Sequence, residues 1–167
     1  MKKFLKYSGL CAAVLGIVAF ILMMATPGIV STSSDTAVKG TIVIFGGSEA
    51  IWGPLAITYK GSAMALLSWI FALVALVIVL LGVILPALKV KALTKFAGLL
   101  NLVACVLLVM AGVFMFFEVG TWYSANSLGD PSDVAMGAGW VIGAILYIVA
   151  GVAAILPAAS DFAAKRK

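Results

Sequence analysis

From Ser62 to Leu88 the chain runs without a charged side chain, and nearly every residue in that stretch is aliphatic, aromatic or small. Coiled as an α-helix it measures about 40 Å at 1.5 Å per residue, more than the ~30 Å hydrocarbon core of a bilayer requires. A helix that is apolar on every side has to be buried, in a large core or in lipid. Three further stretches share the property, which places four spans at Leu5–Thr26, Ser62–Leu88, Leu93–Phe117 and Asp133–Ala159, with loops at 27–61 and 118–132. The chain is 65% hydrophobic and 10% charged, against about 25% charged for a soluble domain. The expected fold is an all-α membrane protein, a single four-transmembrane-helix bundle.

The first stretch deserves separation from a signal peptide. Signal-peptide apolar regions run about 7–15 residues with small residues before the cut. Here the run is longer and Met23 occupies the −3 position, so a retained first span is expected. Cys11 and Cys105 both lie inside apolar stretches and read as small packing residues rather than a disulfide framework.

Charge placement gives the topology. Lys2, Lys3 and Lys6, then Lys89, Lys91 and Lys95, then Lys165, Arg166 and Lys167 flank the spans, with only Lys39 and Lys60 elsewhere. Asp35, Glu49, Glu118, Asp130 and Asp133 fall in or beside the other two loops. The positive-inside rule then puts both termini and the short 89–95 turn in the cytoplasm. A net charge of +5 distributed this way is a topology signal, not a nucleic-acid face. Trp52, Trp69, Trp122 and Trp140 all fall toward the outer side, as an interfacial aromatic belt would. A Met-Lys-Lys start and the lack of an Asn-X-Ser/Thr sequon point to a bacterial inner membrane.

In the long outer loop, Thr41–Phe45 and Leu55–Tyr59 are β-branched and aromatic, punctuated by Gly46-Gly47 and Gly53-Pro54. They are expected to pair as strands of a small outer sheet, with Val119–Tyr123 as a third. Aligning Pro86 with Pro157 also aligns Ile84-Leu85 with Ile155-Leu156, Trp69 with Trp140, and Ser62 with Asp133, both good helix N-caps. Lys6-Tyr7-Ser8-Gly9-Leu10 likewise parallels Lys95-Phe96-Ala97-Gly98-Leu99. Two copies of one helical hairpin are therefore expected, related by an axis along the membrane normal. The repeated prolines should bend or end their helices near the inner boundary.

Reactive chemistry is sparse. There is no histidine, neither cysteine has a base beside it in sequence, and no phosphate-cradling loop follows a strand. No catalytic, cofactor or metal site is expected. The candidate residues are structural. Gly139 and Gly143 form a GxxxG spacing and, with Gly151, make the fourth span the candidate for closest helix contact. Asn101, near the inner end of the third span, is expected to hydrogen-bond a neighbouring helix for about 1 kcal/mol. Glu118 is expected at the outer end of the third helix, where the dipole disfavours an acid, compensated by Lys39 or Lys60.

Four spans, inner termini, a long strand-forming first outer loop and a shorter second one resemble the claudin and peripheral-myelin tetraspan group. Trp52-Gly53-Pro54-Leu55 echoes the start of the Trp-Gly-Leu-Trp-Cys-Cys signature of claudins, without its cysteines. The resemblance is one of architecture. It implies a bundle topped by a small sheet that assembles laterally. The leading expectation is thus a non-enzymatic, self-associating structural or scaffold protein whose partners are the bilayer and further copies of itself. A small transporter or channel subunit, or an accessory or immunity subunit of a larger complex, are the alternatives.

Overall fold

A computed structural model describes residues 2–52, 55–87, 96–126 and 131–164, without side chains for 2–6, 50–52, 55, 85–87, 131 and 157–164. Four long helices dominate it: α1 (Lys2–Ala25), α3 (Ala63–Ala87), α4 (Ala97–Phe116) and α6 (Ala138–Ala164). Each contains a segment long and apolar enough to cross a membrane, at Tyr7–Ala25, Ala63–Ile84, Ala97–Phe116 and Ala138–Leu156. Between them lie β1 (Pro27–Ser31), β2 (Ala37–Lys39), the short helix α2 (Gly40–Phe45), β3 (Gly47–Trp52), β4 (Leu55–Tyr59), α5 (Glu118–Asn126) and β5 (Val134–Met136).

Around the bundle the order is α1, α6, α4, α3, with α3 returning to a lighter contact with α1. Residue pairs set the directions. Gly139 and Gly143 near the start of α6 face Thr26 and Ala19 near the end of α1, while Gly151 faces Cys105 and Val109 of α4. Ser68 of α3 donates to the Ala111 carbonyl of α4 at 2.8 Å. Neighbours therefore run antiparallel, and every strand lies at the end where α1 finishes and α3 begins.

The inner faces are built from small residues. Ala12, Ala19, Ala72, Ala104, Ala111 and Ala144 are completely buried, and glycines let backbones meet. A methyl at Gly112 would lie 2.6 Å from the Ala144 carbonyl oxygen, and one at Gly151 would lie 2.9 Å from that of Cys105. The outer faces carry large aliphatic side chains, among them Val14, Ile21, Val77, Val106, Ile145 and Val152. This inside-small, outside-large pattern inverts the layout of a water-soluble bundle, whose outer faces are polar.

The cap departs from the expected strands. Residues 41–45 form α2 instead of a strand, because Val43 and Ile44 are buried and Gly40 is pressed onto the ends of α1. Their β-propensity yields to that packing. Leu55–Tyr59 is a strand as expected, but it pairs antiparallel with Gly47–Trp52. Gly46, at φ 76°, makes the turn between α2 and β3 that a side chain would disfavour. Residues 119–123 are helical, within α5. A strand instead forms at β5, within the stretch expected to open the fourth span, and joins β1 and β2 in a three-stranded sheet ordered β2-β1-β5.

Helix ends also differ. Ser62 caps α3, accepting from the Ala65 amide at 3.3 Å. Asp133 does not cap the fourth long helix; it closes a 3-10 turn at Pro131–Asp133. The start of α6 is instead bonded to Gly137, whose carbonyl accepts from Trp140 at 2.9 Å and Val141 at 3.1 Å. Nor does Pro157 end α6, which continues to Ala164. Pro86 lies one residue before the last described residue of α3. The turn lysines Lys89, Lys91 and Lys95 and the tail Lys165–Lys167 lie outside the described residues.

Candidate functional site

The polar groups of the described fold gather at the strand-bearing end. The first node closes α1. Its last carbonyls have no partner within the helix; Thr26 Oγ1 donates to Leu22 O at 2.7 Å, and Trp140 Nε1 donates to Met23 O at 2.9 Å. The indole fits because Gly28 and Gly40 wall the slot: a methyl at either would lie 3.0 or 2.9 Å from the ring. One side chain thus ties α6 to the end of α1, to β1 and to α2.

The second node joins α3, α4 and α5. α4 closes with a tight turn, Phe117 N to Phe114 O at 3.1 Å, and Glu118 opens α5 directly afterwards. Ser62 Oγ and Thr121 Oγ1 are hydrogen-bonded to each other at 2.6 Å, and the remaining hydroxyl proton is directed at the Glu118 carbonyl oxygen, which lies 3.0 Å from Thr121 Oγ1 and 3.5 Å from Ser62 Oγ. At the far end of α5, Asn126 clasps the chain leaving β4: it accepts from Lys60 N at 2.7 Å and donates to Lys60 O at 3.0 Å. Between these grips, Trp122 packs on Tyr59 with ring centroids 5.4 Å apart.

The Glu118 side chain is completely buried, and neither carboxylate oxygen has a hydrogen-bond partner. Loss of water around the charged form pushes its pKa up to about 9. Opening α5 places it where a helix dipole favours an acid, but desolvation is the larger effect. The site therefore holds a neutral carboxylic acid at pH 7. Tyr59 is also raised, first by burial and then by the charge of Glu49.

Several sequence expectations need revision here. Glu118 pairs with neither Lys39 nor Lys60. Lys39 instead meets Glu49, Nζ to Oε1 at 3.3 Å, on the surface, where such a pair contributes about 0–1 kcal/mol. Lys60 is exposed and engages Asn126 through its backbone. Of the tryptophans expected in an interfacial belt, Trp122 and Trp140 are buried in the protein, and Trp69 is half-buried between Phe20 and Phe45. The Trp52 side chain lies outside the described residues. Among the described residues, the large exposed aromatics at this end are Phe45, Phe116 and Phe117. Within the bundle, Gly139 and Gly143 face α1, Gly151 faces α4, and Asn101 lies against Gly82 of α3, where an added methyl would stand 3.2 Å from its Oδ1. Among the described residues no three His, Cys, Asp or Glu side chains gather as metal ligands.

The burial of Glu118 was not expected, although a signal for it exists. The acid follows Met115-Phe116-Phe117 and precedes Val119 with no polar spacer, so the sequence offers no break in which it can reach water.

These features define a four-helix protein with four candidate membrane spans and a small strand-bearing cap. Comparison with protein families finds no match, and no curated protein matches the chain in sequence. The fold agrees with a four-span membrane protein, and no family match extends that to a claudin.

Proposed function

We propose that the chain is a multi-pass protein of the plasma (inner) membrane, with both termini cytoplasmic, and that it serves as a non-enzymatic structural component associating laterally with further copies. The observation that supports a membrane-spanning, non-carrier unit is the layout of the four helices. Their outer faces are large and aliphatic, their inner faces interlock through alanine and glycine, and the four candidate spans contain no ionisable Asp, Glu, Lys or Arg. Ion-coupled carriers keep such groups near the membrane centre, so a rigid unit is favoured over a carrier with a moving pathway.

A repeated hairpin belongs to the same reading. In the alignment that pairs Pro86 with Pro157, buried Ala72, Leu76 and Val79 fall on buried Gly143, Tyr147 and Ala150. In the alignment that pairs Lys6 with Lys95, Gly16, Ala19 and Met23 fall on Cys105, Leu108 and Gly112, all buried. The claudin-like element of the proposal is the β1–β5 pairing, which joins the two outer loops in one sheet.

Extraction into native nanodiscs followed by intact-mass analysis tests the function. Homomeric species larger than the monomer are expected. A strictly monomeric population would refute lateral association, and stoichiometric co-purification of an unrelated protein would replace it with an accessory role.

A further inference from the structure

The β3–β4 hairpin has no assigned role, and its position is unusual. Lys39 stands opposite Pro27 in the sheet register, two residues past the end of α1. The next residue, Gly40, donates its amide to Thr26 O at 3.1 Å. At the other end of α2, the Phe45 ring meets Trp69 edge-on with centroids 5.2 Å apart, and Trp69 lies about 9 Å along α3 from its first residue. So α2 runs beside the ends of the long helices, not above them. Glu49, the third residue of β3, still reaches Lys39. The hairpin therefore leaves the protein at the level where the apolar helices end.

Its surface suits that level. Ala56, Ile57 and Thr58 are exposed on β4, as are Gly47 and Ser48 on β3. From Ala50 to Tyr59 the sequence carries no charge. An isolated two-stranded hairpin is marginal in water, and β3 and β4 form a sheet of two with no third strand among the described residues. Burial in the hydrocarbon core is excluded by the same fact, since open edges leave amides and carbonyls without partners there. The headgroup boundary meets both demands, because it accepts apolar and aromatic side chains while supplying water and polar groups to the edges.

We infer that the β3–β4 hairpin lies along the lipid headgroup boundary and anchors the outer cap to the bilayer, an inference that rests on the four-span reading above. The test uses the full chain with Cys11→Ala and Cys105→Ala, in phosphatidylcholine nanodiscs. Single cysteines at Ile57→Cys, Val77→Cys or Asp35→Cys carry a fluorescent label. The quenchers are lipids bearing a nitroxide either near the headgroup or near the acyl-chain end. Val77 is exposed on the outer face of α3, and Asp35 is exposed in the β1–β2 loop. The label at 57 should be quenched by the headgroup-level nitroxide above the deep one, that at 77 most strongly by the deep one, and that at 35 by neither. Position 57 behaving like 35, while 77 is quenched, overturns the anchor and leaves the four-span reading standing. An unquenched label at 77 overturns both. Protection at 57 that disappears at one copy per disc identifies a second copy as its cover, and also overturns the lipid assignment.

Discussion

Glu118 offers the sharpest quantitative test of the fold. In an unfolded chain its carboxyl titrates near 4.5, and in the folded protein near 9. Between those values the folded protein keeps a proton that the unfolded chain has released. Stability therefore decreases as pH rises, with a limiting slope of about 1.4 kcal/mol per pH unit. From pH 4.5 to pH 7 the loss is on the order of 3 kcal/mol, and the loss ends only as pH passes the folded value. A ΔΔG of 1 kcal/mol moves the Tm of a chain this size by roughly 3 °C, so the expected drop is about 4 °C per pH unit. The chain has no histidine, the side chain whose ordinary titration would otherwise obscure this range. Glu118→Gln keeps the shape and neutrality of the protonated acid but cannot ionise. Thermal unfolding in detergent from pH 5 to pH 8 should show a falling Tm for the natural protein and a nearly flat one for the variant. The two should meet near pH 5, with the variant more stable at pH 8. Parallel curves would mean that Glu118 ionises alike in both states, and the burial argument would fail.

Two further substitutions test the packing by thermal unfolding. Gly112→Ala pushes a methyl to 2.6 Å from the Ala144 carbonyl and should cost about 1–3 kcal/mol. Gly143→Ala, with nothing nearer than 3.4 Å, should be tolerated. Trp140→Phe removes the 2.9 Å bond to Met23 O and leaves a buried carbonyl unpaired, at about 1–3 kcal/mol. Trp122→Phe should cost less, because its Nε1 has no partner to lose.

The four helices were legible because helices long and apolar enough to cross a membrane advertise themselves by length and uniform apolarity. That signal requires no knowledge of neighbours. The cap was harder for the opposite reason. Thr41–Phe45 has the composition of a strand, yet its conformation follows from Gly40 meeting Met23 and Thr26, contacts between distant parts of the chain. β5 is three residues long and pairs with β1 across more than 100 residues of sequence, so no local pattern announces it. The tryptophan belt failed through a similar gap. Sequence position does not say which way a side chain turns, and Trp122 and Trp140 turn into the protein. Glu118 was singled out as needing compensation; what the sequence concealed was that protonation, instead of a lysine, supplies it.

The glycines of the fourth long helix bear on the lateral association proposed above. A GxxxG spacing usually suggests an association surface, and Gly139, Gly143 and Gly151 carry that expectation. In the fold all three are turned toward α1 or α4 of the same chain, and the exposed face of α6 presents Ile142, Ile145, Val149 and Val152. The exposed faces of α1 and α3 are likewise built from large side chains such as Val14, Ile21, Val77 and Leu81. Close backbone approach between copies is therefore blocked wherever these helices face lipid, and large aliphatic faces gain little from meeting each other when lipid tails are equally apolar. Specific association would have to come from groups outside the hydrocarbon layer. Among the described residues such groups lie mainly in the cap, in its strand edges and around the Asn126 clasp.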